Sequence, residues 1–146
     1  MNWKNEAMDR LRKYSAMCLA VDNIPQEIRR LEEAATAIRS ARTDGSRVQA
    51  SGNRREEILL DNMMSRQELC WQLDQTKGWL TSMNKALSVL TPEEKLVLQR
   101  FYIYPEKGSV ERLCQELGVE KSSAYRKRDK ALRRFTIALY GSADGE

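Results

Sequence analysis

Between Lys121 and Arg134 the chain sets seven basic side chains, Lys121, Arg126, Lys127, Arg128, Lys130, Arg133 and Arg134, against one acid, Asp129. That segment carries +6, whereas the whole chain carries +4, so the remainder is slightly acidic at -2. Guanidinium and ammonium groups clustered in this way are suited to phosphate oxygens, and guanidinium also pairs two-pronged with a guanine edge. The chemistry implied is binding rather than turnover. Histidine is absent from all 146 residues, which removes the commonest general base and metal ligand. No GxSxG, Walker-type phosphate loop or HExxH occurs, and the acids fall singly or in charge-mixed runs such as QEIRRLEEA, which read as solvated helix faces. The expectation is a protein that is not an enzyme and needs neither metal nor cofactor.

The three cysteines, Cys18, Cys70 and Cys114, are odd in number, far apart and outside any CxxC spacing, so neither a disulfide framework nor a zinc site is expected. They read as buried, reduced thiols. No stretch approaches the roughly 20 apolar residues of a membrane span, and the N-terminus MNWKNEAMDR lacks the apolar run of a signal peptide. The expected location is the cytoplasm, with no membrane partner. Charged residues are 32% and aromatics 7% of the chain, with a mean hydropathy of -0.65, which suits extended helices better than one thick core.

The basic cluster must be held by local structure, and the sequence supplies it. Thr91-Pro92-Glu93-Glu94 joins a capping threonine, a first-turn proline and a glutamate able to close a capping box. A helix carrying Leu96, Val97, Phe101 and Tyr102 follows, and Tyr104-Pro105-Glu106-Lys107-Gly108 ends it. Ser109 then caps a short helix through Val110, Leu113, Cys114 and Leu117, Gly118 supplies a left-handed turn, and a basic helix starts near Lys121 with Ala124, Ala131, Leu132 and Phe135 inward. A short helix, a glycine turn and a longer basic helix are the parts of a helix-turn-helix. In that arrangement Lys121, Ser122, Tyr125 and Arg126 project from the first turns of the second helix as candidates for base contact, with Ser123, Lys127, Lys130, Arg133 and Arg134 as phosphate candidates.

Upstream, Ala7, Leu11, Tyr14, Cys18 and Val21 mark one helical stripe, and Ile28, Leu31, Ala35 and Ile38 another. The break Asp22-Asn23-Ile24-Pro25 lies between them, giving a second helix or a kinked continuation. Thr43 to Asn53, TDGSRVQASGN, reads as a loop that reverses the chain. From about Arg54 a long helix follows, with Leu59, Met63, Cys70, Leu73, Leu80 and Leu87 near heptad spacing, weakened locally at Gly78. These helices cover one another's apolar faces, or leave part of the stripe for a second copy and make the arm a homodimerisation device. Trp71 and Trp79 are core in the first case, or anchors of a partner surface. The expected fold is all-α: a helical hairpin or coiled coil over 1–89, with its loop near 43–53, then a DNA-binding domain over 90–141.

The segment VERLCQELGVEKSSAYRKRDKALRRF resembles, without gaps, the second half of region four of bacterial sigma factors, which binds the promoter's -35 element. The resemblance implies base-reading places for Lys121, Ser122, Tyr125 and Arg126, and a backbone-crossing role for the helix beginning at Ser109. It departs at Lys127, where an apolar residue is usual. More loosely, the LRKY helix, the element from Val48 to Ser51, the long central helix and Asp129-Lys130-Ala131-Leu132 are similar to the sigma-like phage regulators of the ArpU and RinA-like late-transcription activators. That resemblance implies a sequence-specific regulator on double-stranded DNA, activating phage late genes with host RNA polymerase. Two other readings join the same parts: a small terminase-like DNA-packaging subunit, and a sigma-mimicking module that sequesters a protein partner.

Overall fold

The computed structural model describes residues 2–41 and 49–143, the side chains of 49–51 excepted. It is all-α. Two long helices, α1 (Trp3–Ala41) and α2 (Gln49–Ser88), precede three shorter ones, α3 (Pro92–Leu98), α4 (Ser109–Leu117) and α5 (Lys121–Tyr140). A π-helical turn, Gln99–Ile103, extends α3. No helix among the described residues is long and apolar enough to cross a membrane.

At Asp22–Pro25, where the sequence allows a second helix or a continuation, the chain continues, and the loop expected near 43–53 is corrected. Helix α1 runs unbroken through Asp22 to Pro25. Proline removes the N–H that would bond the Val21 carbonyl. Yet Val21 and Ile28, seven apart on one helix face, both remain half-buried, so the apolar stripe continues past the missing bond. Helix α2 likewise begins at Gln49, so residues 49–53 of the expected loop are helical, and Gly52 sits inside the helix with open space around it. Residues 43–48 of that loop, and the element from Val48 to Ser51 as a side-chain motif, lie outside what is described.

The chain divides into two compact units, one made of Met1–Cys18 with Trp79–Glu146, the other of Leu19–Gly78. The unit that holds α3 to α5 therefore also takes in the start of α1 and the end of α2, beyond the 90–141 segment read from sequence. Its core joins Ala7, Leu11, Met83, Ala86, Leu90, Val97, Leu98, Leu113, Ala131 and Phe135, and Leu11, Met83, Leu98, Leu113 and Phe135 are fully buried. Burying a side chain of that size contributes roughly 1.5–3 kcal/mol each, which makes this unit the stable body. Trp3 closes one end, its ring 4.7 Å from that of Tyr140, with the Arg10 guanidinium 5.3 Å above the same tyrosine.

In the Leu19–Gly78 unit the buried side chains among the described residues are Ala35 and Asn62. Asn62 donates from Nδ2 to the Leu31 carbonyl at 2.8 Å, and Arg66 donates from Nε to Asn62 Oδ1 at 2.8 Å. A polar link thus ties α1 to α2 where an apolar heptad was expected. Leu59 and Leu73 are half-buried, but Met63 and Cys70 face solvent. The cysteines are free, as expected, but they are not buried: Cys18 and Cys114 are half-buried and Cys70 is exposed. The apolar seam of a two-helix pair is too narrow to enclose every position of the stripe.

Candidate nucleic-acid interface

Helix α5 is positioned from both sides. On one side stands α3, started by the expected capping box: Glu94 N–H donates to Thr91 Oγ1 at 3.2 Å, and Thr91 N–H donates to Glu94 Oε1 at 3.1 Å. On the other stands α4, whose cap differs from the expectation. Gly108, at φ 81°, is the N-cap, and Ser109 is the first helical residue, its Oγ accepting from Glu106 N–H at 2.8 Å. Ser109 stabilises the preceding turn instead of capping the helix.

Helix α4 ends at Gly118, φ 65° and ψ 38°, a left-handed conformation that any side chain would strain. Val119 N–H closes the turn onto the Cys114 carbonyl at 3.0 Å, and α5 begins two residues later. Leu113 and Ala124 are completely buried between the two helices, while Cys114, Leu117 and Val119 are half-buried around them. The inward face of α5 is the expected one: Ala124, Ala131, Leu132 and Phe135, joined by Thr136, whose hydroxyl donates to the Leu132 carbonyl at 2.6 Å.

Opposite that buried face, at 3.6 residues per turn, lie Ser122, Arg126 and Arg133, with Ser123 and Lys130 beside them. Ser122, Arg126, Lys130 and Arg133 are exposed and Ser123 is half-buried. This stripe is where the helix can reach a ligand without disturbing its own packing. Arg126 and Lys130 enter no ion pair among the described residues, and both side chains are exposed.

The remaining candidates are brought to the flanks. Lys121 Nζ lies 3.1 Å from Glu111 on α4, and the hydrogen bond and charge of that carboxylate raise the lysine's pKa. Lys127 pairs with Glu93 on α3. The position is half-buried toward α3, and the long side chain reaches its acid. Arg134 is committed more fully, to the Glu94 carboxylate and, through Nη2 at 3.2 Å, to the Val89 carbonyl. Burial raises the pKa of Glu94, but hydrogen bonds from Thr91 and the charge of Arg134 outweigh it and hold the carboxyl below its ordinary value.

Tyr125 is 41% exposed, and its ring stands 5.7 Å from Phe101 of the π-helical turn. Arg128 bridges this pair, its guanidinium 5.0 Å from the Tyr125 centroid and 5.3 Å from that of Phe101. Neither Phe101 nor Arg128 stands among the sequence-derived candidates. The contact spans more than twenty residues of chain and has no local signature. Its effect is to fix the orientation of Tyr125 at the start of α5, with one edge open.

Among the described residues, no group of three or more cysteines or acids could hold a metal ion. The chain matches no family model, no curated protein and no solved structure.

Proposed function

We propose that this chain is a sequence-specific binder of double-stranded DNA that regulates transcription, with α5 as the element that enters the major groove. The observation that carries this reading is the exposed stripe of Ser122, Arg126, Lys130 and Arg133 on a helix whose opposite face is sealed into the core. A major groove about 12 Å wide admits one helix, and a cationic stripe on its free face meets base edges near the N-terminal end and phosphates farther along.

On this reading the roles separate by position. Ser122 and Arg126, in the first turns, read base edges. Lys130 and Arg133 neutralise phosphates, and Ser123 donates a hydrogen bond to one. Tyr125, held by Phe101 and Arg128, offers its free edge to a thymine methyl or a phosphate. Lys121, Lys127 and Arg134 act chiefly on the protein itself, fixing α5 to α4 and α3. Helices α4 and α5 with the Gly118 turn serve as the helix-turn-helix, in keeping with the sigma-like resemblance of 110–135, and the looser similarity to ArpU and RinA-like regulators supports a role in activating phage late genes with host RNA polymerase.

Selection of bound duplexes from a random library tests the proposal, with affinity for the selected sequence and for random DNA measured at two salt concentrations. A motif bound on the order of 10³-fold above random DNA is the expected result. Salt-sensitive binding without preference would favour a packaging role, and no binding would leave a protein-sequestering module.

A further inference from the structure

The face of α2 turned away from α1 carries an aligned set of exposed apolar side chains. Leu60, Met64 and Trp71 are 52%, 57% and 63% exposed. Spaced by four and seven residues, they form one ridge along about 16 Å of helix. Soluble chains expose single apolar side chains freely, but an aligned tryptophan, methionine and leucine mark a surface meant to be covered. The flanks are acidic. Residues 56–76 hold Glu56, Glu57, Asp61, Glu68 and Asp74 against a single base, Arg66, and Arg66 is turned to Asn62 on the side facing α1. Glu57, Asp61 and Glu68 line one edge of the ridge and Glu56 and Asp74 the other, and a shallow depression beside Met64 is bounded by Asp61 and Glu68.

We propose that this ridge is a docking surface for a basic amphipathic helix of another protein. Leu60, Met64 and Trp71 would pack between apolar side chains spaced three and four apart on the partner, and the two rows of carboxylates would meet its flanking lysines and arginines. Charge selects this occupant over a second copy of the chain. Face-to-face pairing of two such ridges would set five carboxylates against five with one inward-turned arginine on each, and like-charge juxtaposition opposes association. The proposal is independent of DNA binding, because it uses no residue of α5.

The test uses the full chain and two labelled synthetic peptides, each an amphipathic helix of twenty residues with the same leucine stripe, one flanked by lysine and arginine and the other by glutamate. Fluorescence anisotropy gives their affinities, and sedimentation gives the mass of the chain. The basic peptide is expected to bind, about tenfold or more weakly after joint Trp71→Ala and Met64→Ala substitution, and more weakly as salt is raised, with the acidic peptide not binding. Circular dichroism melting of the double variant should match that of the parent, since both side chains are largely exposed. Failure of the basic peptide to bind, equal binding of the acidic peptide, or equal binding to the double variant would overturn the proposal. So would a dimer that Trp71→Ala dissociates, which would assign the ridge to a second copy.

Discussion

The same two long helices run through both compact units, yet they are built into them differently. In the unit of Met1–Cys18 and Trp79–Glu146, Leu11 of α1 and Met83 of α2 are fully buried because α3, α4 and α5 supply further apolar layers. In the unit of Leu19–Gly78, two helices face only each other, Ala35 is the sole buried apolar side chain among the described residues, and the link is made by Asn62. Heptad-like sequence is common to both. What differs is the number of neighbours, and this decides whether a stripe becomes a core or stays a half-wet seam.

The sharpest way to break that comparison is truncation in each unit. Phe135→Ala is expected to cost about 3–5 kcal/mol in chemical denaturation, because the ring is wholly enclosed. Leu73→Ala, at a half-exposed seam position, should cost on the order of 1 kcal/mol. Equal losses would mean that the arm is as well packed as the body. Next in size is Arg134→Ala, expected to lower stability by about 1 kcal/mol, with little change in DNA affinity, because its partners are Glu94 and the Val89 carbonyl. A large loss of DNA binding with unchanged stability would return Arg134 to the phosphate contacts.

A smaller effect follows from Glu94. Its carboxyl titrates lower in the folded chain than in the unfolded one, so its contribution to stability is present above the unfolded pKa and disappears as pH falls through the folded value. Acid titration of the melting temperature should therefore show a steeper decline below the ordinary glutamate range for the parent than for Glu94→Gln, and parallel curves would count against the linkage. The smallest effect is kinetic: Cys70, exposed on α2, should react with a thiol reagent faster than Cys18 or Cys114.

Features carried by a few neighbouring residues were legible in the sequence. The capping box at Thr91 and Glu94, the left-handed Gly118 and the inward set Ala124, Ala131, Leu132 and Phe135 each depend on spacing within one or two turns, and each stands where the pattern placed it. Punctuation is a weaker guide. At Pro25 the pattern allows a break or a continuation, and a stripe half-buried on both sides carries α1 through; the polar run 49–53 suggests a loop, but α2 starts upstream of Arg54. In the candidate interface, the sequence collected the cations but could not sort them. Whether Lys127 and Arg134 face a ligand or the protein depends on Glu93 and Glu94, more than thirty residues away, and the clamp of Phe101 and Arg128 on Tyr125 depends on the π-helical turn.

The exposed stripe of α5 is tested most directly by repeating the duplex selection with Arg126→Ala and Arg133→Ala beside the parent chain, and measuring affinity for each winner across a salt series. The account predicts that Arg126→Ala relaxes one position of the selected motif, at about 1–3 kcal/mol of discrimination, while Arg133→Ala keeps the motif, weakens all DNA alike and reduces the salt slope by about one. An unchanged motif and unchanged affinity in both variants would contradict it and remove α5 as the DNA-reading helix.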